Sequence, residues 1–277
     1  MNVPAWVHGA TRVHWMIGHP IAQVRMPALA NEAFSRGGLS QVLVPLDIPP
    51  QALHDALCVY AAASNVHGLV CTLPHKMALA AGVDRLLPRA ALLGAANVVR
   101  KSAAGLEGDM LDGVGFGGAL AAAGRSVQDR HVGIIGCGGF GRAAALEALE
   151  RGASTLSLLD ANASRAESLS ALLCGHFGAG RATACHALPS TVEVVVNASP
   201  LGMRGSVGMP CRLDGLRNLI GVVDAVTGPR TPLVAEAMRA DVWTVEGDAI
   251  AQAQLHAILE FWAVHPSAHQ QDQQETQ

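Results

Sequence analysis

His131-Val-Gly-Ile-Ile-Gly-Cys-Gly-Gly-Phe-Gly141, continued by Arg142-Ala-Ala-Ala-Leu-Glu-Ala-Leu-Glu-Arg151 and Thr155-Leu-Ser-Leu-Leu-Asp160, is the stretch whose reading decides the fold. His131 to Ile135 is a short apolar run of strand type. Gly136, Gly138 and Gly141 then fall at the G-x-G-x-x-G spacing, with Gly139 and Phe140 among them. A helix is expected from Arg142 to Arg151, stopping at Gly152, before a second strand that ends in the carboxylate of Asp160. Gly136 allows a tight turn, Gly138 lets backbone approach a pyrophosphate, and Gly141 lets helix pack on strand. The helix N-terminus adds unpaired N–H groups and partial positive charge. A glycine pattern alone indicates only a turn; with strand, helix and terminal acid in place it predicts a dinucleotide site.

Outward from this unit, strands are expected near 155–160, 193–197, 219–224 and 242–246. They complete a doubly wound parallel-sheet α/β domain of Rossmann type over residues 109–247. A separate alternating pattern precedes it. Arg12–Gly18, Gln41–Leu46 and His67–Thr72 read as strands and Pro27–Arg36 and Pro50–Ala62 as helices, a βαβαβ layout. A helical region from Lys76 to Leu93 and a hairpin of Ala96–Arg100 with Gly105–Gly108 follow. Residues 1–108 are therefore expected to form an N-terminal α/β substrate-binding domain, with a final helix over 248–264 returning to it. Residues 266–277, almost without apolar side chains, read as disordered. The default active site in such a chain is the cleft between the domains.

Composition excludes several classes. The 277 residues are half hydrophobic, with a formal charge of −3 and scattered arginines, which argues against a nucleic-acid partner. The N-terminus has no secretory pattern and no apolar run is long enough to cross a bilayer, so a cytoplasmic protein without a membrane partner is expected. The six cysteines show no metal-ligand spacing and read as reduced, buried thiols. No Cys/His cluster organises the twelve histidines, so no metal is expected.

A nicotinamide enzyme that oxidises an alcohol needs a group to move the hydroxyl proton. Two loops qualify: Thr72-Leu-Pro-His-Lys76, after the third strand, and Gly108-Asp-Met-Leu-Asp-Gly113, at the junction between domains. Lys76 and Lys101 are the only lysines, and arginine is too basic to carry a proton. A lysine on an arbitrary loop is first of all a solvated surface group. Beside an aspartate it can instead hold an alcohol oxygen, with burial or coupling setting which of the two carries the proton.

Along nearly its whole length the chain resembles the shikimate/quinate dehydrogenase family. The matching segments are Gly18-His-Pro-Ile-Ala-Gln-Val-Arg-Met-Pro27, Thr72 to Lys76, Gly94-Ala-Ala-Asn97, Gly108 to Gly113, Gly136 to Gly141, Val196-Asn-Ala-Ser-Pro-Leu-Gly-Met203 and the region of Gln254. The resemblance implies that Lys76 and Asp112 are the catalytic pair and that Thr72, Asn97 and Gln254 contact a small-molecule substrate. It further implies that Asn197, Ser199, Pro200 and Met203, with Val226, lie by the nicotinamide. A monomer or homodimer is the family-level expectation.

The departures concern the substrate. Where the family carries a Ser-x-Ser pair that holds the substrate carboxylate, this chain has Val24 and Met26. Val70 replaces an asparagine, Met110-Leu111 an Asn-Thr pair, and Asp224-Ala-Val-Thr227 lacks a usual tyrosine. Each lost hydrogen bond to a charged group is worth about 1.5–3 kcal/mol, so losing two predicts roughly 10²- to 10⁴-fold weaker recognition of shikimate. The expected substrate is a cyclic alcohol or ketone less polar than shikimate, or one with its polar groups elsewhere. Arg25, Gln23 or His19 could meet an acid in another orientation, or could be a solvated arginine and local turn-formers.

Asp160, 19 residues after Gly141, can accept both ribose hydroxyls and repels a 2′-phosphate, whereas family members that use NADP carry an Asn-Arg-Thr run here. In this chain the run is Asp160-Ala-Asn162 and only Arg165 remains. NAD rather than NADP is therefore expected, the alternative being that Asp160 caps a helix over Asn162–Leu172. Two further readings stay open: an ordinary shikimate or quinate dehydrogenase with an unusual acid clamp, and a nucleotide-binding sensor without turnover. Retention of Lys76 and Asp112 argues against the sensor.

Overall fold

In the computed structural model, which describes residues 7–203, 206 and 208–264, the chain divides into two units. Unit 1 comprises Met1–Met110 and Leu255–Gln277, unit 2 Leu111–Gln254. The tail expected to be disordered lies outside the described residues.

Unit 1 opens with β1 (Arg12–Gly18), α1 (Met26–Arg36), β2 (Gln41–Asp47), α2 (Leu53–Ala62) and β3 (Val66–Cys71). The three strands are parallel, with β1 between the other two. α3 (Lys76–Ala81), β4 (Arg85–Leu86), α4 (Pro88–Leu93), β5 (Val98–Ser102) and β6 (Gly105–Asp109) follow, giving the sheet order β2-β1-β3-β5-β6-β4. The hairpin β5–β6 makes the sheet mixed, because β5 runs antiparallel to both neighbours. The single helical region expected over Lys76–Leu93 is broken in two. Gly82 ends α3, β4 pairs with β6, and Pro88 starts α4 at a position where a missing N–H costs nothing.

A polar group sits in the middle of this core. His14 on β1 is 1% exposed, stacked 4.4 Å from the Trp262 ring and 5.5 Å from Phe34. Its Nε2–H donates to Gln41 Oε1 at 2.7 Å, which leaves Nδ1 without a partner. Gly68 on β3 is required here, since a Cβ would lie 2.3 Å from the Trp262 ring. The Trp262 indole N–H in turn donates to Val99 O at 3.1 Å.

Unit 2 runs α5 (Asp112–Ala122), β7 (His131–Ile135), α6 (Gly139–Glu150), β8 (Thr155–Leu159), α7 (Ala163–Phe177), β9 (Ala182–Ala184), β10 (Val194–Asn197), β11 (Gly221–Asp224), α8 (Pro232–Arg239) and β12 (Trp243–Glu246). The last helix, α9 (Gly247–Phe261), begins in unit 2. All pairings are parallel, in the order β12-β11-β10-β7-β8-β9, so the domain is doubly wound as expected. Chain order reverses between β7 and β10. Ligands of open α/β sheets gather at the carboxyl ends of the strands beside such a reversal.

Several details differ from the expectations. α6 starts at Gly139 rather than Arg142, because Gly138 is already its N-cap. α7 runs to Phe177 instead of Leu172, ending before Gly178 at a φ of +104°. β9 was not foreseen. All six cysteines are free, but among them only Cys71 and Cys137 are fully buried and Cys58 is exposed.

Candidate active site

The glycines after β7 differ in what holds them glycine. Gly136 has φ +95°, and a Cβ there would meet the Ala198 backbone at 2.8 Å; a Cβ on Gly141 would lie 1.7 Å from Gly136 O. Both are required by the fold. Gly138 has ordinary extended backbone, and a Cβ on it would meet nothing within 4 Å. The open space lies at the N-cap of α6, where no side chain caps the helix N-terminus. Such a gap lined by helix-terminal N–H groups fits a phosphate. Gly139 and Phe140, both half-buried, open the first turn.

Asp160 directly follows β8 and lies against this loop. Its Oδ2 accepts the Cys137 N–H at 2.6 Å and its Oδ1 the Asn162 N–H at 2.8 Å. The cap of α7 is Asn162, whose Oδ1 accepts the Ser164 N–H at 3.2 Å, so Asp160 is not the helix cap. A carboxylate has about four lone-pair sites, so each oxygen keeps one for a further donor. Burial, then the Asp160 charge, pushes the Cys137 thiol up to about 12, leaving it a packing group. Arg165 stands exposed on α7.

Past the end of β10 the loop is held by a buried polar network. Asn197 is 0% exposed; its Nδ2 donates to Leu201 O (3.1 Å) and to Asp224 Oδ1 (2.9 Å). Its Oδ1 accepts the Ser199 N–H (3.1 Å) and hydroxyl (2.7 Å). Met203 N–H closes a turn onto Pro200 O at 3.0 Å. Asp224 Oδ1 also accepts the Val226 N–H at 3.1 Å, and its Oδ2 the Thr231 hydroxyl at 2.6 Å. Burial raises the Asp224 pKa, and the hydrogen bonds from Thr231, Val226 and Asn197 oppose that rise.

Asp112, the first residue of α5, is 3% exposed and accepts a hydrogen bond from Gln254 Nε2 at 2.6 Å. α5 and α9 approach closely because Gly115 has no side chain: a Cβ would lie 2.7 Å from Gln254 Cβ. The family resemblance points to both residues but not to their pairing. Leu111 beside Asp112 is buried.

In unit 1 the loops after the parallel strands are laced together. His19 N–H donates to Leu73 O, Ile48 N–H to Gly18 O and Thr72 N–H to Ile17 O. The buried His75 ring donates from Nε2 to Ile48 O at 2.7 Å. Lys76, half-buried at the start of α3, accepts the Ala96 N–H on its carbonyl at 2.9 Å. The buried Asn97 is tied by its backbone to Cys71 and Asp109. Val24 is half-buried, and Met26, Val70 and Met110 are buried. Gln23 makes the local turn bond, Nε2 to Pro20 O at 2.8 Å; His19 Nδ1 pairs with Asp47 Oδ1 at 2.8 Å and Arg25 is exposed. Sequence reasoning missed His75, Thr231 and the supporting role of Asp224. Among the described residues no cluster of His, Cys, Asp and Glu could hold a metal, and no helix is long and apolar enough to cross a membrane.

Known proteins resemble this chain over most of its length. Residues 16–99 match the family model of the shikimate dehydrogenase substrate binding domain. The shikimate dehydrogenase (NADP(+)) of Geobacter sulfurreducens is 34% identical over 263 residues, 92% of either chain. Among solved structures, the 5-ketofructose reductase of Gluconobacter sp. strain CHM43 is similar with a TM-score of 0.82 and 27% identity, covering 92% of this chain and 94% of that one. The quinate dehydrogenase of Corynebacterium glutamicum in complex with NAD gives 0.83 and 25%, covering 92% and 95%.

Proposed function

Since this chain belongs to the shikimate dehydrogenase family of NAD(P)-dependent dehydrogenases acting on CH–OH groups, we propose that it works with NAD on a cyclic alcohol or ketone less polar than shikimate. Family membership sets aside the sensor without turnover. The observation that carries the substrate reading is the apolar set Val24, Met26, Val70, Met110 and Leu111. Burying a charged substrate group against such side chains without hydrogen bonds is costly. The likeness to a protein named as a 5-ketofructose reductase supports a substrate other than shikimate on this fold.

In this reading the bound coenzyme supplies the hydride acceptor or donor. Lys76 takes the hydroxyl proton in oxidation and returns it in reduction, and Asp112 supports the lysine charge. Gln254 steadies the Asp112 carboxylate through its 2.6 Å bond and, with Asn97 and Thr72, orients the substrate. The loop from Gly136 to Gly141 receives the pyrophosphate in the gap at Gly138. Ser199, Pro200, Met203 and Val226 border the nicotinamide.

The NAD preference rests on Asp160, whose oxygens each keep a lone pair for a ribose hydroxyl and whose charge repels a 2′-phosphate. It is tested by comparing kcat/KM with NAD and NADP in the wild type and in Asp160→Asn. The expected outcome is a wild-type preference for NAD that narrows in the variant; a wild-type preference for NADP overturns it. The second reading, shikimate or quinate itself, is favoured by the 34% identity to a protein named shikimate dehydrogenase (NADP(+)). A hydride-transfer assay over shikimate, quinate and less polar cyclic alcohols separates the two.

A further inference from the structure

The geometry points to Asp224 and Thr231 as positioning residues for the nicotinamide end of the coenzyme, acting through Asn197 on the loop that ends at Met203. The inference rests on the reading of that loop proposed above. Neither residue is in the loop, yet Asp224 holds the Asn197 amide, and that amide bonds Ser199 and Leu201.

Asp224 sits at the end of β11 and is 1% exposed. One of its oxygens joins two elements, accepting Asn197 Nδ2–H from the end of β10 and the Val226 N–H from the next segment. The other accepts the Thr231 hydroxyl, and Thr231 Oγ1 itself accepts the Val234 N–H as the N-cap of α8. The Thr231 methyl also bounds the loop: a Cβ on Gly202 would lie 3.0 Å from Thr231 Cγ2, and Gly202 has φ +100°.

The orientation of the Asn197 amide follows from this. Asp224 Oδ1 accepts only, so it fixes the Asn197 NH₂ toward itself and the amide oxygen toward Ser199. That oxygen then holds both the Ser199 N–H and the Ser199 hydroxyl, and the remaining amide proton holds Leu201 O. If Asp224 became an amide, it could present a donor to groups that are themselves donors, and the asparagine would lose the partner that sets its orientation. In a site buried from water such a mismatch is not repaired by solvent. A carboxylate kept this deep, with three donors on two oxygens, is costly to bury and is spent here on a loop rather than on the core.

The test uses the full-length protein and two probes that differ at one end. NADH or NADPH, whichever binds more tightly, is titrated by fluorescence, and the matching ADP-ribose, which lacks the nicotinamide, by calorimetry. In the wild type both are expected to bind, the dinucleotide more tightly. Asp224→Asn is expected to weaken the dinucleotide about tenfold while ADP-ribose stays within about twofold. Thr231→Val should behave like Asp224→Asn, and Thr231→Ser, which restores the hydroxyl, should recover most of the affinity. The Thr231 pair decides the matter if Asp224→Asn does not fold. Equal loss for both probes, no loss for either, or a serine variant as poor as the valine variant overturns the inference and leaves the coenzyme site standing. A wild type that binds neither probe overturns the coenzyme reading itself.

Discussion

The buried His14 makes unit 1 sensitive to acid in a way that can be given a size. Burial lowers its pKa from 6.5 to about 4, the hydrogen bond to Gln41 opposing that shift only in part. In the unfolded chain the imidazole binds a proton below about 6.5, in the folded chain only below about 4. Between these values the unfolded state holds more protons, so stability falls as pH drops through this window and is regained above it. One pKa unit corresponds to about 1.4 kcal/mol, which gives roughly 3 kcal/mol for the whole window and about 2 kcal/mol by pH 5. The ring lies between Trp262 and Phe34, so a proton there would be charged inside an aromatic stack without water. Urea unfolding followed by tryptophan fluorescence at pH 7.5 and 5.0, in wild type and His14→Phe, isolates the effect. The variant is offset at both pH values by roughly 1–3 kcal/mol because Gln41 loses its donor, but it should lack about 2 kcal/mol of the pH-dependent loss. His67 and His131 are also lowered by burial and contribute in both proteins alike. Equal losses in wild type and variant would refute the reasoning.

Lys76→Ala should lower kcat by at least about 10²-fold, the scale of positioned proton transfer, with NAD affinity nearly unchanged in a binding titration. Unchanged turnover would remove the lysine from the chemistry. Gly138→Ala and Gly141→Ala should part company in circular dichroism and NAD titration. The first folds with wild-type stability or about 0.5 kcal/mol better, yet weakens NAD about tenfold by filling the phosphate gap. The second, with its Cβ 1.7 Å from Gly136 O, should fail to fold at 37 °C.

The doubly wound unit was legible because its signals are local. Glycine spacing, helix length and a terminal acid occupy a single run from His131 to Asp160, and period-2 or period-3.6 patterns need no tertiary information. The misses have equally specific causes. β9 is only Ala182–Ala184, too short for a pattern. The break inside Lys76–Leu93 is a two-residue strand whose reason is its partner β6, some twenty residues on. Among the candidate residues, Lys76, Asp112, Asn97 and Gln254 could be picked out by resemblance, but the bond from Gln254 to Asp112 joins residues 142 apart and leaves no sequence trace. Thr231 reads as the start of α8, and nothing local says that its hydroxyl belongs to Asp224. Asp160 was placed by spacing, whereas its bond to Cys137 N–H shows a second duty, bracing the glycine loop.

The claim that the pocket is altered away from shikimate is tested most directly by kcat/KM for shikimate in the wild type and in the double variant Val24→Ser, Met26→Ser, with the folded fraction of each checked by fluorescence. Replacing the buried Met26 costs on the order of 2–4 kcal/mol of stability, so the assay is run at low temperature. Poor turnover of shikimate is expected from the wild type and a gain of roughly 10²- to 10⁴-fold from the variant, the inverse of the two lost hydrogen bonds. Efficient turnover of shikimate by the wild type, with no gain on restoring the serines, would contradict it.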